Sequence, residues 1–141
     1  RRIPPIKGTQ FVDPVLRKLD DAGKIEYVCP ESVPHSEMRS LVHDVDIVVD
    51  QLLAGSYGVA AIESMSAGRV TVGRLAPPVL DLMPEVPPIV QATPDELEET
   101  IVTIVENRDH YRRLGREGIS FAHVWHSGKA SATALRSYLA R

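Results

Sequence analysis

Residues 46–71 read DIVVDQLLAGSYGVAAIESMSAGRVT, and the order of residue types along this stretch decides the fold. Ile47, Val48 and Val49 form a continuous β-branched run between Asp46 and Asp50, the pattern of a short strand buried on both faces of a parallel sheet. Asp50 stands where that strand ends. Gly55-Ser56-Tyr57-Gly58 then sets two glycines around a compact turn, Val59 to Ala67 carries small and apolar residues at helical spacing, and Gly68 closes the helix. Val70, Thr71 and Val72 supply the next strand. A β-loop-α-β unit of this kind belongs to a parallel sheet with helices on its faces, and ligands of such sheets gather beyond the carboxyl ends of the strands.

Upstream, Arg1 to Gln10 contains Pro4, Pro5 and Lys7-Gly8-Thr9, which is loop chemistry. Asp13-Pro14 reads as an N-cap and first helical residue, with Val15, Leu16 and Leu19 as the apolar stripe and Gly23 as the stop. Ile25, Tyr27, Val28 and Cys29 predict a strand ended by Pro30. Val33-Pro34-His35 is a loop, after which Ser36 caps a short helix bearing Met38, Leu41 and Val42.

Downstream, prolines at 77, 78, 84, 87 and 88 leave room for one helical turn around Leu80 and a short edge strand at Pro88-Ile89-Val90. Thr93-Pro94-Asp95-Glu96 is a capping-box start for a helix whose stripe is Leu97, Ile101, Ile104 and Val105. Asp109 to Val124 reads as another helix, although Gly115 and Gly118 each cost roughly 1 kcal/mol against Ala. Ser127 caps a last helix with Ala130, Ala134, Leu135 and Leu139 on one face. The fold class is α/β, with a parallel sheet and a helical C-terminal end.

At 141 residues the chain predicts one domain, spanning 1–141. The net charge of -3 comes without a long run of either sign, so neither a nucleic-acid surface nor an anionic-membrane surface is indicated, and a polyanionic ligand is disfavoured. Cys29 is the single cysteine, which excludes an internal disulfide and a cysteine-based zinc site and suits a reducing cytosol. His43, His110, His123 and His126 lie scattered without metal-ligand spacing. No signal-peptide pattern or membrane-length apolar run is present. The opening Arg1-Arg2-Ile3 lacks an initiator Met and reads as mid-phrase, as in a piece of a longer protein.

Lys7-Gly8 and the stretch from Gly55 to Thr71 together resemble the nucleotide-sugar half of GT-B fold glycosyltransferases of family 4. That family carries an Arg and a Lys-Gly pair after its first strand, then a Glu-x7-Glu signature written E-G-F-G-L-x-x-x-E-A-M-A-x-G-x-P-V. Here the corresponding residues are Gly55-Ser56-Tyr57-Gly58-Val59-Ala60-Ala61-Ile62-Glu63-Ser64-Met65-Ser66-Ala67-Gly68-Arg69-Val70-Thr71. His43 to Val49 resembles the strand entry before the signature, and the helix capped at Thr93 continues the likeness, which spans nearly the whole chain.

The resemblance implies a three-layer Rossmann-like domain that binds a nucleoside diphosphate sugar and transfers the sugar with retention, without a metal or other cofactor. Lys7, Arg2, Gly58 and Val59 would meet the donor diphosphate; Gly55, Ser56 and Tyr57 would lie at the sugar; Glu63 would accept hydrogen bonds from the ribose hydroxyls; and Val33 and His35 would line the base pocket. A cation suits diphosphate, helix-start amides suit anions, and an acceptor-only carboxylate suits a vicinal diol. The first strand and an N-terminal acceptor domain would lie outside these residues, so this stretch alone would be inactive. The implied location is cytoplasmic, with a peripheral place at the membrane open to the full-length protein.

Gly55 occupies the position of the family's first signature Glu, so the sugar would be held otherwise, by Asp50, Gln51 or the surroundings of Tyr57. Two other readings follow. One is a non-catalytic interaction module descended from such an enzyme; the other is a GT-B sugar-nucleotide epimerase. Against the ligand roles stand plainer ones: Lys7 as a surface lysine, Glu63 paired with Arg69 or Arg74, the glycines as turn formers, and Phe121 and Trp125 as core anchors.

Overall fold

The computed structural model describes residues 7–30 and 33–139, the side chains of His35 and Ser137 excepted. Its elements run α1 (Thr9–Asp21), α2 (His35–Asp44), β1 (Ile47–Val49), α3 (Val59–Ser66), β2 (Val70–Gly73), α4 (Pro77–Leu80), β3 (Ile89–Gln91), α5 (Leu97–Glu106), α6 (Arg108–His126) and α7 (Lys129–Leu139). The three strands form one parallel sheet in the order β1-β2-β3, with Val48 opposite Thr71 and Val72 opposite Val90. This is an α/β fold. Among the described residues, no helix is long and apolar enough to cross a membrane.

Strand alternation sorts the helices between the two faces of the sheet. Val70 and Val72 pack with Val12, Leu16 and Leu19 of α1 and with Leu97, Ile101 and Ile104 of α5. Thr71 points the other way, and its hydroxyl donates to Ser64 Oγ of α3 at 2.8 Å. On that side Ala61 and Met65 of α3 meet Phe121 and Ala122 of α6. Every residue of β2 is buried, whereas all three of β1 are only half-buried. The expectation that β1 is buried on both faces is thus corrected, because β2 pairs with just one of its edges.

Several boundaries differ from the sequence reading. Helix α1 begins at Thr9 rather than at Pro14, because Gly8 adopts a left-handed φ of 79° and its carbonyl accepts from the amides of Phe11 and Val12. Pro14 therefore lies inside the helix. Asp13, expected as its cap, instead accepts the Tyr27 hydroxyl at 2.5 Å. The strand expected at Ile25–Cys29 does not form; the segment bonds to α1 through side chains, and no backbone ladder joins it to β1 among the described residues.

Helix α2 starts at His35 with Pro34, not Ser36, at its N-cap. In the Thr93 motif, the Thr93 amide and hydroxyl both donate to Glu96 Oε2, at 2.9 and 2.8 Å. The regular helix opens only at Leu97, one turn later. The apolar face assigned to α7 is not buried: Leu135 and Leu139 are 53% and 82% exposed.

The two glycines that weaken α6 in isolation explain how it docks. A Cβ on Gly115 would stand 2.7 Å from the Gly68 carbonyl oxygen, and one on Gly118 would stand 3.0 Å from Met65 Cβ. Their absent side chains let α6 lie directly on the turn between α3 and β2. Gly115→Ala should therefore destabilise the fold by about 1–3 kcal/mol, the clash outweighing roughly 1 kcal/mol of gained helix propensity. A guanidinium titration checks this; an unchanged or higher midpoint would contradict the packing account.

Candidate functional site

The carboxyl ends of β1 and β2 carry a loop held by backbone and side chain together. The Asp50 amide donates to Val72 O at 2.8 Å and prolongs the ladder, while its Oδ2 accepts the Gly58 amide at 2.8 Å. Gln51 repeats the arrangement one residue on. Its carbonyl accepts from the Arg74 amide at 3.3 Å, and its Nε2 donates to Ser56 O at 2.6 Å. These bonds place Gly58 at the N-cap of α3 without a side-chain cap of its own. The amides of Val59, Ala60 and Ala61 begin the helix with no intrahelical acceptor, as geometry requires of a first turn.

The loop before α1 arrives at the same end of the sheet. Leu52 donates its amide to Lys7 O at 3.2 Å, and a Cβ on Gly8 would meet Leu53 Cγ at 3.3 Å. Lys7 and Gly8 thus sit beside the Asp50–Gly58 loop. Glu63 lies about 7.5 Å further along α3 from Gly58, at about 1.5 Å per residue. It is half-buried, and among the described residues its carboxylate has neither a hydrogen bond nor an ion pair with Arg69 or Arg74. Arg69 instead donates through Nη2 to His43 O at 2.8 Å.

Gly55 has a backbone reason to be glycine. Its φ is 71°, its carbonyl accepts the Ala76 amide at 2.8 Å, and an added Cβ would stand 3.0 Å from Ala76 Cβ. Any larger residue is strained there. Ser56 contributes its carbonyl to Gln51, and Val59 is exposed on the first turn of α3.

Tyr57 faces α6. Its hydroxyl lies 3.0 Å from His126 Nε2, and its ring meets Phe121 and His126 edge-on at 6.4 and 5.6 Å. Trp125 is half-buried and donates Nε1 to Glu85 Oε2 at 2.8 Å. Sequence reasoning missed this aromatic cluster, since Tyr57 and His126 stand 69 positions apart and give no local signal. Burial raises the Tyr57 pKa and lowers that of His126.

The structure brings Lys7, Gly8 and the loop from Asp50 to Val59 together, with Glu63 on the helix that follows. Val33, half-buried, lies before α2 on a separate segment, and His35 opens that helix. Arg2 lies outside the described residues. Among the described residues, no group of three or more His, Cys, Asp or Glu side chains could hold a metal ion. The Gly58 amide, assigned to diphosphate from the sequence, points at the Asp50 carboxylate. Free donors begin at Val59.

The lowered pKa of His126 fixes a sign for acid stability. Above the unfolded value of 6.5 both states carry a neutral ring, so the contact is fully retained. Below it the unfolded chain takes up the proton first, and stability falls as pH drops through the depressed folded value. Melting temperatures should fall between pH 7.5 and 5.5, by less in His126→Gln, and the His126 resonance should titrate below 6.5. A midpoint above that value would overturn the burial account.

No protein-family model, curated protein or solved structure matches this chain, so the chemistry of the site alone bears on its use.

Proposed function

We propose that this chain is the donor-binding domain of a GT-B glycosyltransferase resembling family 4, a Rossmann-like half that clasps a nucleoside diphosphate sugar. The observation that carries the reading is the half-buried Glu63, without a side-chain partner among the described residues, on a helix whose first turn has no side-chain cap and follows the loop that Lys7 joins through Leu52. A partly buried carboxylate left without a donor is costly, and a ribose diol supplies two donors to it.

In this reading the amides of Val59 to Ala61 and the Lys7 ammonium face the diphosphate, and Arg2 joins them. Donors fixed in advance at the leaving diphosphate lower the barrier to glycosyl transfer. Asp50 Oδ1, without a hydrogen bond among the described residues, accepts from a sugar hydroxyl in place of the carboxylate absent at position 55. Tyr57 and Ser56 border that sugar, while Val33 and His35 border the base. The acceptor binds a partner domain, so this stretch binds donor without turning it over.

One observation favours the non-catalytic alternative. The left-handed backbone at Gly55 and its 3.0 Å approach to Ala76 leave no place for the family's first Glu in this loop. Donor-sugar hydrolysis by the full-length protein separates the two: nucleotide binding without hydrolysis or transfer points to the interaction module.

Isothermal titration with UDP and GDP should show binding to the wild-type chain. Glu63→Ala should weaken it about tenfold or more, the worth of a charged hydrogen bond. Lys7→Ala should weaken it similarly and flatten its salt dependence. Absence of heat with every nucleoside diphosphate at millimolar concentration would overturn the proposal.

A further inference from the structure

We infer that the end of α6 positions the candidate site: Phe121 and His126, acting through Tyr57, set the turn from Ser56 to Gly58 and with it the direction of the first turn of α3. Where a ligand is concerned the inference rests on the nucleotide-sugar reading above; the anchoring of the turn does not.

Three bonds tie the turn to the end of the sheet. Gly55 O accepts from the Ala76 amide, Ser56 O accepts from Gln51 Nε2, and the Gly58 amide donates to Asp50 Oδ2. Tyr57 stands among them, yet among the described residues neither its amide nor its carbonyl makes a hydrogen bond. Its side chain therefore supplies what its backbone lacks. The hydroxyl lies 3.0 Å from His126 Nε2, and the ring meets Phe121 edge-on with centroids 6.4 Å apart. The His126 ring stands 5.6 Å from Tyr57 and 5.9 Å from Phe121, so the three rings close a triangle.

The place of Tyr57 in the helix start gives that triangle its consequence. Gly58 is the N-cap of α3, which puts Tyr57 at the residue before the cap. A large side chain there ordinarily packs against the first turns of its own helix and fixes the angle at which the chain enters it. Here the rings it meets belong to α6. Phe121 is buried in one cluster with Ala61 and Met65 of α3, so a single ring serves both the body of the helix and the turn that feeds it. The direction of the Val59–Ala61 amides, the donors proposed for the diphosphate, follows from that angle.

The last turn of α6 is fit for this task because it is itself held. Helix ends fray unless tied, and Trp125 donates Nε1 to Glu85 Oε2 at 2.8 Å one residue before His126. The division of labour follows burial. Phe121 is 4% exposed and supplies the packing, whereas His126 is exposed and supplies a polar contact that the Tyr57 hydroxyl alone can take up.

Because His126 is exposed, replacing it leaves the core intact, and amide exchange followed by NMR reads the turn directly. In His126→Leu the Gly58 amide should exchange about fivefold faster, the worth of one hydrogen bond, while the Val72 amide in the central strand keeps its rate. Tyr57→Phe should match it, the double variant should add nothing further, and His126→Gln, which again offers an amide to the hydroxyl, should restore the slow rate. An unchanged Gly58 rate in His126→Leu would overturn the inference. So would equal acceleration of Gly58 and Val72, which marks a general loss of stability, or a His126→Gln protein as loose as His126→Leu. Isothermal titration with UDP and GDP adds the ligand arm: His126→Leu should weaken binding by a similar factor and His126→Gln should not. If neither nucleotide binds the wild-type chain, the glycosyltransferase reading falls and the exchange rates still decide the anchoring; if His126→Leu binds as tightly as wild type, the positioning role is overturned while that reading stands.

Discussion

Asp50 joins the sheet to the helix that follows it. Its amide extends the β1–β2 ladder and its carboxylate holds the first amide before α3. Both bonds are short and come from one residue, so the end of the sheet and the start of the helix cannot move independently. Gln51 adds a second clamp of the same design at Arg74 and Ser56. Once α3 is fixed at its N-terminus, Ser64 meets Thr71 on β2 and Met65 comes under Gly118 of α6. The packing of the whole α3–α6 face follows from the loop.

The central unit was legible because strand and helix periods alternate within 26 residues, from Asp46 to Thr71. What lies outside it depends on partners that a local pattern does not contain. Ile25–Cys29 has the composition of a strand, yet a strand is defined by a neighbour, and among the described residues none pairs with it. Pro14 suggested a helix start because proline suits a first turn, but Gly8 offers a left-handed entry and the buried face of Val12, Leu16 and Leu19 sustains the helix past the proline. The Tyr57–His126 contact and the Gly115 approach to Gly68 are long-range, and no spacing rule reaches them.

Gly55 illustrates how a departure from a motif changes meaning once the backbone is visible. As a letter in a signature it is a lost carboxylate. In the fold it is a left-handed residue pressed against Ala76, the N-cap of α4 just past β2. The substitution and the loop conformation belong together, so a Glu placed there would strain the turn and not simply regain a contact.

The clamp also constrains any anion at this end of the sheet. The positive end of α3 already holds the Asp50 carboxylate at Gly58, and a second negative charge roughly 5 Å away is repelled by about 1 to 3 kcal/mol at effective dielectric constants from about 80 down to about 20. A diphosphate there needs an offset of similar size, which the Lys7 ammonium and the Val59–Ala61 amides can provide. A neutral polyol meets no such penalty beside Asp50 Oδ1, which gains a donor from it. For the proposed donor, phosphates toward Lys7 and hydroxyls toward Asp50 would be the arrangement of least repulsion. That ordering would follow from the Asp50–Gly58 bond, which also holds the helix in place.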